Sequence, residues 1–231
     1  MSKVKGYIFD YGGTLDTGGC HWGKMLWHAW QQSGAPVTEQ QFRQAYVQVE
    51  RHLGCAPVIK PDYTFRKTLE VKVKLEQEAM NVAGTEGAWD EKVTSCLYET
   101  VVGQVARSRE VLRNLPQPKV LVSNFYGNMA TVLREFNLDA LFLQVIESAV
   151  VGVRKPDPRI FTLGVEALGL PPGEVLVVGD SMEKDIIPAK EAGCMTAWLR
   201  GEQWTDAPFD ERIADLVLDD LSELQTIKIY K

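Results

Sequence analysis

The chain has 231 residues, longer than one typical domain and short for two, and long enough to bury a sizeable core. Its 25 Lys and Arg against 31 Asp and Glu give a net charge of −6, which argues against a general nucleic-acid-binding surface. No apolar run reaches transmembrane length, and Cys20, Cys55, Cys96 and Cys194 show neither CxxC nor CxxH spacing, which argues against a disulfide framework or a zinc site. Met1 to Lys5 leads straight into an apolar run and leaves no room for a signal peptide. The expectation is a cytoplasmic protein with reduced thiols, a monomer or homodimer, with neither nucleic acid nor membrane as partner.

Val4 to Phe9 stops at Asp10 and turns through Gly12-Gly13, the pattern of a buried strand with a carboxylate at its C-terminal tip. Trp22 to Gln32 reads as a helix carrying Trp27 and Trp30. Thr38-Glu39-Gln40-Gln41 resembles a capping box, followed at helical spacing by Phe42, Tyr46 and Val49. Pro57 to Pro61 is a loop. Val71, Val73 and Leu75 alternate, yet the Glu/Lys content around them favours a helix. Asp90 to Val105 places Val93, Leu97 and Val101 on one helical face. From Asp16 to Ala106 no convincing strand occurs.

Beyond that stretch, strands are expected at Lys119–Ser123, Leu143–Ile146, Val175–Asp180, Met195–Leu199 and Asp215–Leu218. They are continuous apolar runs, as in parallel strands covered on both faces. Helices are expected at Asn128–Asn137, from Asp157 (N-cap) and Pro158 (first helical position) through Leu168, and from Glu183 to Ala192 with Gly193 as its stop. Alternating strands and helices predict an α/β protein with a parallel sheet. The helical stretch reads as an inserted lid of about four helices, with hinge crossings near Asp16 and Ala106.

Polar residues collect at the predicted strand tips: Asp10, Ser123-Asn124, and Asp180 with Asp185. Lys155 lies in the loop Gly152 to Pro158, just before a helix. Clustered carboxylates repel one another unless a cation joins them, and an all-oxygen set suits Mg²⁺. A hydroxyl, backbone N–H groups and a lysine suit phosphate oxygens. Together they predict a phosphoryl-transfer site in which Asp10 could form an aspartyl phosphate.

In these residues the chain resembles the haloacid dehalogenase superfamily, in its phosphatase branch with a helical cap. The resemblance covers nearly the whole chain and implies a Rossmann-like core of residues 1–16 plus 107–231 with an all-helical cap of residues 17–106. Asp10-Tyr11-Gly12-Gly13-Thr14 matches the first motif, which implies Asp10 as nucleophile and metal ligand and Thr14 at the substrate. Ser123 matches the phosphate-binding second motif, with Asn124 beside it either at the substrate or positioning a loop. Lys155 matches the third motif, and Gly179-Asp180-Ser181 with Asp185 the acidic fourth. The resemblance implies Mg²⁺ held by Asp10, the Gly12 carbonyl, Asp180 and Asp185, and a small phosphorylated substrate.

The chain departs from that pattern at Gly12, where phosphatases of the family usually carry a second aspartate as general acid/base. Such a group contributes about 10²–10⁴-fold in rate. Its loss falls hardest on alkyl phosphates and least on leaving groups stable as anions. His21, just after the first hinge, could partly replace it, and Trp22 beside it is a candidate substrate contact. Two alternatives stand open: a catalytically weak phosphate- or metabolite-binding protein, and a phosphonate-cleaving relative that uses Lys24 as an imine-forming amine.

Overall fold

The computed structural model describes residues 4–82, 88–205 and 209–226, so the expected domain ends at 1–3 and 227–231 lie outside the described residues. The strand Gly6–Phe9 (β1) is buried along its whole length. Between it and the next strand run four helices: Trp22–Ser33 (α1), Glu39–Cys55 (α2), Phe65–Ala79 (α3) and Ala88–Asn114 (α4). Thr38 and Gln41 form the reciprocal capping box at the start of α2. Thr64 caps α3, where Phe65, Leu69 and Val73 turn to one buried face, so helical spacing overrides the alternation of Val71, Val73 and Leu75.

Helix α4 does not stop near Ala106. It continues to Asn114, because no proline occurs before Pro116 and Val105, Val111 and Leu112 remain buried along it. Ser108 Oγ on this helix donates to the carbonyl of Leu15 at 2.8 Å, fastening α4 to the loop after β1.

The remaining strands are Lys119–Ser123 (β2), Gln144–Glu147 (β3), Val175–Gly179 (β4), Met195–Leu199 (β5) and Leu216–Leu218 (β6), all close to their expected bounds. They form one sheet in the order β3-β2-β1-β4-β5-β6, and every pairing is parallel. Helices Met129–Glu135 (α5), Ser148–Val151 (α6), Arg159–Leu168 (α7) and Ile187–Glu191 (α8) occupy the connections. Helix α7 begins one residue later than expected, with Pro158 in the N-cap position. The Asp157 carboxylate accepts the Arg159 N–H at 2.9 Å and closes the entry turn. The expected helix from Glu183 opens instead as a wide turn over Met182–Ile186, in which the Ile186 N–H reaches back to the Ser181 carbonyl at 3.2 Å.

Alternation along β1 splits the core. Tyr7 and Phe9 face a cluster that continues into the helical block through Trp30, Phe42 and Leu97. Ile8 faces the opposite layer, with Val120, Val177, Ile160 and Phe161 under α7. Chain order reverses between β1 and β4, and open parallel sheets bind ligands at the strand tips beside that reversal. Among the described residues no helix is long and apolar enough to cross a membrane.

Candidate active site

Asp10 follows β1 and Asp180 follows β4, so the parallel pairing of these strands sets the two residues side by side. The Asp10 N–H donates to the Val178 carbonyl at 3.0 Å, which extends the ladder to the tip itself. Past Asp10 the chain winds tightly, and the N–H groups of Thr14, Leu15 and Asp16 all point to the Tyr11 carbonyl. Gly13 has φ +97°, and a Cβ there would overlap the Asp180 carboxylate, so this glycine is obligatory twice over. Gly12 differs. A Cβ on it would meet only the Trp22 indole, at an ordinary 3.6 Å.

Lys155 comes from the loop before α7. Its Nζ lies 2.6 Å from Asp10 Oδ1 and 2.6 Å from Asp185 Oδ1. The Asn124 side-chain amide donates to the Lys155 carbonyl at 3.0 Å and accepts its N–H at 2.9 Å, which clamps the main chain of that lysine to the end of β2. Asn124 is therefore a positioning residue. Thr14 Oγ1 donates to Asp180 Oδ1 at 2.9 Å, so its hydroxyl orients a carboxylate instead of standing open to a substrate. Trp198 Nε1 holds the Asp180 carbonyl at 2.7 Å, and the Ser181 N–H donates to Asp185 Oδ2. Ser123 is buried at the C-terminal end of β2, the strand paired with β1 on the side away from β4.

The group is dry. Asp10 is 7% exposed, Lys155 4%, Asp180 3% and Asp185 1%. Burial pushes the Asp10 carboxyl up to about 6, although the Lys155 ammonium pulls it back. Burial, then repulsion from Asp185 and Asp10, raises Asp180 well above the carboxylate range. Burial disfavours the Lys155 ammonium, but Asp10 and Asp185 outweigh it and raise its pKa above the usual lysine value. Oxygens of Asp10, Asp180 and Asp185 lie within 4.8 Å of one another, so these three residues could hold a metal ion. Three buried carboxylates within reach of one ion, all offering oxygen, suit a hard divalent cation.

His21 sits apart. Its Nδ1 accepts the Gly23 N–H at 3.0 Å as the N-cap of α1, and its ring packs against Trp204 and Tyr46. Burial, with Lys184 and Lys72 nearby, lowers its pKa to about 4. A proton-donating imidazolium is thus disfavoured near neutral pH. Lys24 Nζ lies 3.9 Å from Glu202 and joins none of the strand-tip groups.

Trp22 adjoins the site, and its Nε1 donates to Asp16 Oδ2 at 2.9 Å. Asp16 also accepts the Gly13 N–H at 2.8 Å and is fully buried, which pushes its carboxyl up to about 8. The sequence marks Asp16 only as a hinge, and its place six residues after Asp10, inside a glycine-rich turn, is the signal that points to the site. No sequence motif marks Glu50, Lys72 and Glu76, which form a second polar group in the helical block, Lys72 and Glu76 buried and Glu50 partly exposed. Lys72 and Glu76 fall on the same face of α3 as Leu69 and Val73, and charges inside an apolar stripe are a legible anomaly.

Comparison with known proteins gives the family and the fold. The model of a hydrolase family, the haloacid dehalogenase-like hydrolases, matches residues 4–193. A glyceraldehyde 3-phosphate phosphatase of Pyrococcus furiosus is 34% identical over 88 residues, 38% of this chain and 37% of that protein. A phosphoglycolate phosphatase of Haemophilus influenzae is 35% identical over 133 residues, 57% of this chain and 59% of its own length. The matches to such relatives thus span between about a third and three-fifths of their length. Among solved structures, the L-2-haloacid dehalogenase of Xanthobacter autotrophicus superposes with a TM-score of 0.61 at 19% identity, over 97% of this chain and 98% of that one. A phosphatase of the same fold from Thermococcus onnurineus gives 0.57 at 20% identity, over 99% of both chains. At these identities the superpositions show the fold alone.

Proposed function

This chain belongs to the haloacid dehalogenase-like hydrolase family, and we propose that it is a Mg²⁺-dependent phosphohydrolase acting on a small phosphorylated metabolite. The observation that carries the reading is the Lys155 ammonium shared between Asp10 and Asp185 beside Asp180, at the reversal of the sheet. The phosphatase names of the relatives support it.

In this reading an Asp10 oxygen attacks phosphorus and the bond from phosphorus to the leaving oxygen breaks, its electron pair leaving with that oxygen. Water then attacks phosphorus, the bond from phosphorus to the Asp10 oxygen breaks with its electron pair returning to the carboxylate, and inorganic phosphate departs carrying the water's proton. Lys155 keeps Asp10 ionised in a dry site and neutralises charge on the phosphoryl oxygens, and the Ser123 hydroxyl donates to one of them. Asp10, Asp180, Asp185 and the Gly12 carbonyl would hold Mg²⁺, which supplies charge neutralisation and orientation of the phosphoryl group. Thr14 and Trp198 keep Asp180 aimed, and Asn124 keeps Lys155 aimed. The helical block of residues 17–106 acts as a cap that excludes water and selects the leaving group. His21 caps a helix and transfers no proton in this scheme.

Gly12 supplies no acid, so the leaving group must depart as an anion. Activated esters and acyl phosphates are the favoured class. The test is an assay with Mg²⁺ on p-nitrophenyl phosphate, acetyl phosphate and ethyl phosphate, with Asp10→Asn as control. Turnover of the first two that disappears in Asp10→Asn supports the reading. Equal rates on all three would break the leaving-group argument, and binding of phosphate without turnover would favour a binding protein.

A further inference from the structure

Lys72 on α3 is only 5% exposed, and cations this deep are rare unless paired. Its Nζ lies 2.5 Å from Glu50 Oε1 and sits over the rings of Tyr46, at 5.2 Å, and Trp22, at 5.6 Å. Glu50 on α2 is in turn gripped from the sheet side. Tyr126 Oη lies 3.2 Å from each of its carboxylate oxygens. Tyr126 comes three residues after Ser123, in the loop that leaves β2. The pair is therefore built where the helical block meets the strand tips, not within the block's own apolar centre.

Trp22 ties this pair to Asp10. One face of the indole lies under the Lys72 ammonium, and its Nε1 edge lies 3.6 Å from where a Cβ on Gly12 would stand, two residues beyond Asp10. Asp16 fixes the indole in that pose. The wall beside Gly12 thus carries one cation, Lys72, over the indole and against one carboxylate. Lys72 is buried but the Glu50 side chain is 32% exposed, and an ion pair that reaches solvent on one side gains little net stability. Exchange of Glu50 for another carboxylate of equal charge therefore costs little.

We propose that Lys72 is the subsite for a carboxylate on the leaving group, with Glu50 as the internal carboxylate that a substrate displaces. The substrate class is a small phosphomonoester or acyl phosphate bearing a carboxylate, its chain lying along Trp22. This deepens the phosphohydrolase reading and rests on it. On displacement Glu50 keeps its hydrogen bond from Tyr126, so the closed contact between the helical block and the β2 loop survives.

The test is calorimetric binding of 2-phosphoglycolate and ethyl phosphate, which differ chiefly by the carboxylate, to Asp10→Asn protein in the presence of Mg²⁺. The carboxylate ligand is expected to bind about 10–100-fold more tightly, the value of one or two charge-assisted hydrogen bonds. In an added Glu50→Gln variant that ratio rises, because Lys72 loses its competitor. In Lys72→Met/Glu50→Gln/Glu76→Gln, which leaves no carboxylate of this cluster without its cation, the ratio falls to about one. A purely structural ion pair predicts no gain from Glu50→Gln. An affinity for 2-phosphoglycolate no better than for ethyl phosphate overturns the proposal, as does a preference that survives loss of Lys72. Turnover of p-nitrophenyl phosphate by the unaltered protein decides the phosphohydrolase reading separately, so either can fail alone.

Discussion

Two buried lysines, each among carboxylates, mark the two halves of this molecule. Lys155 lies between Asp10 and Asp185 at the strand tips, and Lys72 lies against Glu50 with Glu76 one helical turn along α3. The first is anchored by backbone. The Asp10 N–H extends the β1–β4 ladder, and Asn124 grips the main chain of Lys155 on both sides. The second is anchored by long side chains reaching between helices and by one tyrosine from the β2 loop. Rigid backbone suits chemistry on a phosphoryl group, where small displacements are costly. Side-chain reach suits recognition, where partners exchange.

Substitutions can break or sharpen this contrast. The largest effect is expected for Asp10→Asn, a loss of at least about 10⁴-fold in turnover with the melting temperature retained, read by p-nitrophenyl phosphate hydrolysis and calorimetry. Next is Lys155→Met, which leaves Asp10 and Asp185 facing each other without a cation. Denaturant unfolding should show a loss of about 3–5 kcal/mol. A loss under 1 kcal/mol would mean that the strand-tip cluster is no more demanding than the helical one.

The pH dependence of stability separates the two clusters from the neighbouring acids. Burial raises Asp16 to about 8 and Glu76 to about 7, Glu76 with one carboxylate oxygen lacking a hydrogen-bond partner. Both acids hold their protons longer in the folded state than in the unfolded chain. Stability is therefore highest below about pH 4 with respect to these groups and falls as pH rises through about 7 to 8. Asp16→Asn should remove about 3 kcal/mol of that fall and Glu76→Gln about 2 kcal/mol, measured as unfolding free energy at pH 5 and pH 8. A wild-type profile that is flat over this range would remove the argument.

The smallest and most specific effect is that of Gly12→Asp. The backbone there is not in the left-handed region, and the nearest neighbour of an added Cβ is Trp22 at 3.6 Å. The variant restores an acid, and the rate on ethyl phosphate relative to p-nitrophenyl phosphate should rise about 10-fold, part of the range general acids supply. No change in that ratio would show that Trp22 and Asp16 keep the added carboxylate from the leaving oxygen.

Much of this was legible from residues alone, and the reason is local. A continuous apolar run ending in a polar residue gives the strand and its tip together, which is why Asp10, Ser123 and Asp180 could be placed without knowing what packs around them. Thr38 to Gln41 was legible because a capping box closes within four residues. The end of α4 was not. Ala106-Arg107-Ser108 looks like a polar boundary, but Ser108 is buried against the Leu15 carbonyl and the helix continues to Asn114. Lys72 and Glu50 were passed over because they lie 22 residues apart on different helices, and only helix packing joins them.

The sequence by itself determined the parallel sheet, the carboxylate at the end of β1, and the missing side chain at position 12. These follow from apolar runs, turn glycines and residue identity, all short-range properties. Only the tertiary structure decided what stands beside Gly12. There the Trp22 indole, held by a buried Asp16 and overlaid by Lys72, occupies the ground where the sequence showed nothing but a glycine. It also decided the place of His21, which proximity to the hinge suggested for proton transfer and which packing spends on capping α1. Side chains from distant helices meet only after the apolar faces that carry them are buried, and no spacing along the chain encodes that meeting directly.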